Sequence, residues 1–263
     1  MTSTRLYCMT GGTLHFDQGV FTHMLGMGRR MKAPTPIFLV DHPKGKILFE
    51  TGLHPNAAVD PVGQWGEERA VDWAAEFEPE QAVDRQLAAL GIRPEDISFV
   101  VMSCLYPDHA GGMHLFPNAK FIVQFRELQD AWWPDRRLTK SYAYPEIQEI
   151  RDLDYLELHD EDYDLFGDGS VEILFTPAHT RGEQSLVLRL PNTGTIVLPA
   201  GIFPQKANYV NNVMTGTPMV DPATAHRSMA RLKRIAEREN AMVIFHHDID
   251  AWDDIRKSPH FYD

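Results

Sequence analysis

The chain has 263 residues, 43% of them apolar, and a formal charge of −12. A length of this order allows one large domain or two small ones around a sizeable core, and acidity without a basic face argues against nucleic acid as a partner. No apolar run approaches the roughly 20 residues that cross a bilayer, Met1 to Gly12 lacks the apolar stretch of a secretory signal, and Cys8 and Cys104 are too few for a disulfide framework, so a cytoplasmic protein with no membrane partner is expected.

No repeat, low-complexity segment or linker divides the chain, and a single domain over residues 1–263 is expected. The N-terminal half reads as short strands with turns between them. Thr35 to Asp41 and Lys46 to Glu50 are apolar runs flanking His42-Pro43-Lys44-Gly45, the pattern of a β-hairpin. Gln81 to Leu90 spaces Ala82, Leu87 and Leu90 as a helix does, and Gly91 ends it. Ile97 to Met102 is a continuous apolar strand expected to be buried on both faces, and Lys120 to Gln124 is another. Strands follow at Val171 to Thr176, Ser185 to Leu190 and Thr195 to Leu198. Ala225, Met229, Leu232 and Ile235 recur every three or four residues and predict a helix over Pro222 to Arg238, before a last buried strand at Ala241 to Phe245. Strands alternating with helices in both halves imply an α/β fold, an αββα sandwich of two sheets with helices outside.

Chemistry gathers where three of these strands end. Ser103 to Gly112 contains Cys104, Tyr106, Asp108 and His109; Pro177 to Ser185 contains His179 and Glu183; His246-His247-Asp248 closes the last strand. Strand ends can converge on one point, and neutral imidazole with carboxylate suits zinc, iron or manganese. Gly111-Gly112 reads as a tight turn and not a phosphate cradle, because no Lys-Ser/Thr follows it. His246 is expected to point away from its neighbour His247. His15, His23 and His54 read as surface histidines. Trp132, Trp133, Met24, Met27 and Met31 are candidates for an apolar acyl pocket, for core packing, or for the contact of a homodimer.

Five blocks in order, Leu6-Tyr7, Ile47 to Gly52, Asp108 to Gly112, Thr176 to Thr180 and Phe245 to Ile249, resemble the metallo-β-lactamase superfamily and, within it, the acyl-homoserine lactone lactonases. The resemblance spans nearly the whole chain and implies that fold, a metal centre and a small-molecule substrate. The family motif His-x-His-x-Asp-His falls on Cys104, Tyr106, Asp108 and His109, so its first two histidines are replaced. The family's bridging aspartate falls at Gly201, its lactone-assisting tyrosine at Pro204, and its Asp-Thr-Gly loop at Glu50-Thr51-Gly52. By the same correspondence one metal position keeps Asp108, His109 and His247, and the other is left with Cys104, Tyr106 and His179. Structural zinc is bound with about 10–16 kcal/mol, on the order of 3 per ligand, so the eroded position is expected to be weak unless Cys104 ionises, and Glu183 is a candidate to reach toward it. The resemblance therefore implies a hydrolase with one divalent ion, zinc before iron or manganese, acting on a small lactone, ester or related ring compound. Asp108, His109, His179, Cys104 and Tyr106 are the candidate catalytic residues, and Asp108, His109, His247, His179 and Cys104 the candidate ligands. Two other readings stand beside it. A two-histidine, one-carboxylate set suits ferrous oxygen chemistry, and a metal-free protein fits the loss of the aspartate at Gly201. Weak turnover of simple acyl-homoserine lactones is expected in every case.

Overall fold

Ile37 and Leu39 face one side of their strand, Phe38 and Val40 the other, and all four are fully buried, so this strand is packed on both faces. A computed structural model, which describes residues 3–136, 138–216 and 221–263, shows why. One sheet has the order β1 (Arg5–Asp17), β2 (Arg30–His42), β3 (Gly45–Phe49), β4 (Ile97–Val101), β5 (Lys120–Gln124), β6 (Asp154–Leu158). The other runs β11 (Met242–Val243), β10 (Gly194–Leu198), β9 (Gln184–Leu190), β8 (Val171–Phe175), β7 (Tyr163–Asp164). The pairs β1–β2 and β2–β3 are antiparallel, whereas β3 to β6 lie parallel. The second sheet is antiparallel except for β10–β11.

Between the sheets lie Leu6, Phe38, Phe49, Ile122, Ile173 and Leu186, all fully buried. The described helices are α1 (Pro61–Trp65), α2 (Glu67–Trp73), α3 (Val83–Ala89), α4 (Pro107–Ala110), α5 (Phe125–Trp132), α6 (Tyr144–Glu149), α7 (Lys206–Asn211), α8 (Pro222–Arg238) and α9 (Ile249–Asp253), and α3, α5, α6 and α8 cover the outer faces of the sheets. Val83, Leu87, Leu128 and Ile147 pack with Leu39, Leu48 and Val100 outside the first sheet, and Ala225, Met229 and Leu232 with Val187 and Val197 outside the second. The expected αββα layering is therefore present. Helix α8 forms where its periodicity places it, started by Pro222 and by Asp221, whose carboxylate accepts from the backbone N–H groups of Ala223 and Thr224.

Local expectations fail in four places. The N-terminal half opens on two 13-residue strands, not short ones, with a register shift between Thr10 and Thr13. The helix expected at Gln81 to Leu90 starts at Val83, because Ala82 is extended after a 3-10 turn at Pro79–Gln81. Ser98 is exposed, so β4 is covered on both faces only toward its C-terminal end. The closing strand is only two half-buried residues long, since β11 sits at a sheet edge and pairs with β10 at two positions. Among the described residues no helix is long and apolar enough to cross a membrane.

Candidate metal centre

The loop after β4 turns into the single helical turn α4, started by Pro107 after an extended Tyr106. Two neighbouring backbones hold this turn. Thr51 donates to the His109 carbonyl through its N–H (2.8 Å) and its hydroxyl (2.9 Å), and Gly111 N–H donates to the Gly52 carbonyl (2.9 Å). A Cβ on Gly111 would lie 2.1 Å from the His54 nitrogen and one on Gly112 2.7 Å from the Thr51 carbonyl oxygen. Neither glycine has a positive φ, so the pair serves close approach of two chains and not a left-handed turn.

Asp108 Oδ2 lies 3.6 Å from His109 Nε2 and 3.8 Å from His247 Nε2. One ligand atom from each of the three can be chosen so that all lie within 4.8 Å of one another, and all three residues are buried. The ring centroids of His109 and His247 are 5.5 Å apart, inside the two strand spacings (about 10 Å) that convergence of these strand ends requires. His247 Nδ1 is 2.9 Å from the Pro34 carbonyl, to which it donates, so Nε2 keeps its lone pair toward Asp108. His109 Nδ1 faces Glu50 Oε2 at 3.3 Å and Ser103 Oγ at 3.5 Å, which likewise turns Nε2 to the cluster. Glu50 adopts φ +65, a left-handed conformation costing about 1–2 kcal/mol outside glycine, and such local strain gathers at functional sites.

Burial pushes the His247 imidazole down to about 4, so it is neutral near pH 7. Burial also opposes charge on His109, but Cys104, Asp108 and Glu50 outweigh it and raise its pKa well above the usual histidine value. A metal at this point therefore competes with a proton. Two oriented imidazoles and a carboxylate, all desolvated, fit a single divalent ion.

The other expected residues are placed differently. His179 lines the same cleft with Tyr106, Gly201 and Pro204. Its N–H donates to Glu183 Oε2 at 2.7 Å, and burial takes its pKa down to about 3. Tyr106 stands edge-on to His179, ring centroids 4.9 Å apart, and burial raises its phenol, which keeps its proton. Cys104 is buried, does not line the cleft, and has its thiol pushed up to about 12 by burial. Neither Cys104 nor His179 joins the Asp108–His109–His247 cluster among the described residues. The cleft, about 180 Å³ and open to solvent, has an apolar wall of Phe16, Val20, Phe21 and Trp73. Phe21 stacks on His247 with centroids 5.1 Å apart. Met24 and Met27, expected in this wall, are 71% exposed, and Trp133 is 80% exposed. Phe16 and Phe21, which precede the methionines in the chain, form the wall in their place. His246 does point away, between Phe38 and Phe49.

Glu183 fills the space at Gly201. It is fully buried, its Oε1 has no hydrogen-bond partner, and a Cβ on Gly201 would lie 2.6 Å from that atom. Gly201→Ala should accordingly displace the carboxyl and lower stability by about 1–3 kcal/mol, the usual cost of overpacking; an unchanged thermal midpoint would contradict this packing.

His54, expected at the surface, is buried against His114, centroids 4.5 Å apart, with Nε2 3.2 Å from Glu149 Oε2. These three side chains also bring ligand atoms within 4.8 Å of one another. Asn56 N–H, however, donates to His54 Nδ1 at 3.1 Å, which leaves the proton on Nε2 and directs it to Glu149. The group is a hydrogen-bonded pair with a stacked ring, not a second ligand set.

Residues 32–247 match the family described as the Metallo-beta-lactamase superfamily. The chain belongs to this superfamily. Within the metallo-β-lactamase superfamily it is similar over its whole length, and theirs, to the N-acyl homoserine lactonases AttM of Azorhizobium caulinodans (35% identical) and Agrobacterium fabrum (34%). A solved N-acyl homoserine lactone hydrolase, with the product N-hexanoyl-L-homoserine bound at its catalytic metal centre, superposes with a TM-score of 0.87 at 27% identity, covering all of both chains. The chain is thus a hydrolase of the lactonase type in a metal-dependent branch of the superfamily.

Proposed function

We propose that the chain opens the ring ester of small lactones of the acyl-homoserine kind, using one divalent ion held by Asp108, His109 and His247. The observation that carries this reading is the buried two-imidazole, one-carboxylate cluster on the lining of a cleft with an aromatic wall. When bound, a divalent ion supplies Lewis acidity, polarising a carbonyl and bringing the pKa of water toward 7. The protein does the rest. Phe16, Val20, Phe21 and Trp73 take an apolar acyl substituent and exclude water from it. Asp108, desolvated between two imidazoles, can take the proton released by the attacking water and pass it to the departing alkoxide. Tyr106 and Ser141 complete the lining, with the Tyr106 hydroxyl itself buried.

The test is metal analysis of protein purified without added ions, paired with ring-opening followed by proton release before and after chelation. Near one equivalent of zinc or manganese, with hydrolysis lost on chelation and regained on re-addition, is expected. One equivalent of iron with oxygen uptake would transfer the same cluster to oxidative chemistry, which two histidines and a carboxylate also suit. A metal-free, chelator-insensitive protein would overturn the proposal.

A further inference from the structure

One carboxylate on helix α5 is shared by three segments that otherwise belong to different parts of the chain. Glu127 is fully buried. Leu105 N–H donates to its Oε1 at 2.9 Å and the Tyr142 hydroxyl to the same oxygen at 3.1 Å, while the Thr180 hydroxyl donates to Oε2. Each of these three is the chain neighbour of a residue lining the cleft: Leu105 of Tyr106, Tyr142 of Ser141, Thr180 of His179. We propose that Glu127 is a positioning residue that fixes Tyr106, Ser141 and His179 as one wall of the cleft. The inference rests on reading that cleft as the hydrolytic site.

Two arguments support it. Burial pushes the Glu127 carboxyl up to about 7, and the three donors, one backbone N–H and two hydroxyls, oppose that shift; all three sit on irregular segments, where no ladder fixes orientation. The approach is also built for closeness. A Cβ on Gly182 would lie 2.3 Å from the Glu127 nitrogen, so glycine there lets the His179 loop lie directly on α5. Glu127 does not touch the cleft itself. It acts through its partners, and a displacement of about 1 Å in a positioning group can cost on the order of 10²-fold in rate.

The variants are Glu127→Ala, Glu127→Gln and Thr180→Val, each as the full-length metal-loaded protein. A glutamine keeps one oxygen for Leu105 and Tyr142 and offers its amide N–H to the Thr180 oxygen, so it should hold the wall. The ion pair of Arg181 with Asp130 still ties the His179 loop to α5 in all three. Metal content, the ring signals of 13C-labelled histidines, kcat and KM are read together. In Glu127→Ala we expect wild-type metal content, a shifted His179 signal, an unmoved His54 signal, and kcat/KM lower by about 10–100-fold with most of the loss in kcat. Glu127→Gln should stay within about threefold of wild type, and Thr180→Val should move the His179 signal with a smaller loss, about tenfold. Wild-type kcat/KM and an unmoved His179 signal in Glu127→Ala would overturn the proposal. So would equal losses in the Ala and Gln variants accompanied by lost metal, which would mark a general role in folding. The histidine signals report on the wall even if lactones prove not to be the substrate, so failure of the two readings is separable.

Discussion

Asp108→Ala and His247→Ala should each strip the protein of metal, whereas Cys104→Ala should retain most of it. Each ligand of a zinc site contributes on the order of 3 kcal/mol, so removing one of three weakens binding by roughly 10²-fold, enough to empty the site during purification. Asp108 and His247 bring their ligand atoms to one point, while Cys104 lies outside that cluster with a thiol pushed up to about 12 by burial. A thiol that holds its proton this firmly packs beside His109, with which it shares a hydrogen bond, and is not itself a ligand, so its removal should lower the thermal midpoint more than the metal content. Hydrolysis should follow the metal, falling to background in the first two variants and persisting in the third. The His109 proton adds a dependence on pH. Since its pKa is raised by Asp108, Glu50 and Cys104, metal uptake displaces a proton, and apparent affinity should fall as pH is lowered. Elemental analysis of the three variants decides the matter: equal loss of metal in all of them would make Cys104 a full ligand.

The pattern of what could be read from sequence follows from where each signal resides. Helix α8 was legible because its apolar spacing, Pro222 and the Asp221 cap agree. So were the hairpin β2–β3 and the strands β4 and β5, whose apolar runs are largely buried; β6, only half-buried, was not. Helices α1 and α2 were not, since Pro61–Trp73 shows no apolar stripe: Trp65 and Trp73 pack on each other, with centroids 5.2 Å apart, and against Leu14, Leu53 and Phe77 from distant parts of the chain. Asp108, His109 and His247 were legible as a set through the correspondence with the lactonases, and the convergence of strand ends brings their ligand atoms together. Glu50 was noted only as a departure from the family loop, and nothing local announces that its strained backbone turns the carboxylate to His109. Glu127 was missed altogether. A single buried glutamate in a short helix has the same sequence signature as an exposed one, and its role emerges only from three contacts across 22, 15 and 53 positions of chain. Gly201 was legible as a loss, but its cause, the Glu183 carboxyl already standing in that space, was not.

Turnover of simple acyl-homoserine lactones should be slow, with kcat/KM below about 10⁴ M⁻¹s⁻¹, the lower end of the ordinary enzyme range. The relatives' pattern supplies two metal positions and a tyrosine, and four of its positions are altered here. Cys104 lies off the cleft lining, the Tyr106 phenol is held protonated, Gly201 offers no side chain, and Pro204 has no hydroxyl. The Pro204 carbonyl accepts from the His247 backbone N–H at 2.8 Å, so this segment helps place a candidate ligand, and proline has neither a hydroxyl nor an N–H to donate. Removing one donor to a developing oxyanion costs about 10²–10³ in kcat, and the resemblance to the lactonases puts both the tyrosine and ligands of a second metal position among the replaced residues. The substrate wall is not degraded to the same degree: Phe16, Val20, Phe21 and Trp73 still line the cleft. Binding of an apolar acyl chain should therefore outlast catalysis, giving rates that are low in kcat with KM improving as the chain lengthens. Lactones with better leaving groups, which need less help at the oxyanion, should be opened faster than homoserine lactones. The assay runs purified protein with zinc, manganese and iron in turn against short and long acyl chains and against one activated lactone. A kcat/KM of about 10⁴ M⁻¹s⁻¹ or more on unactivated acyl-homoserine lactones would show that Asp108, His109 and His247 form a fully competent site without the residues replaced at 104, 106, 201 and 204.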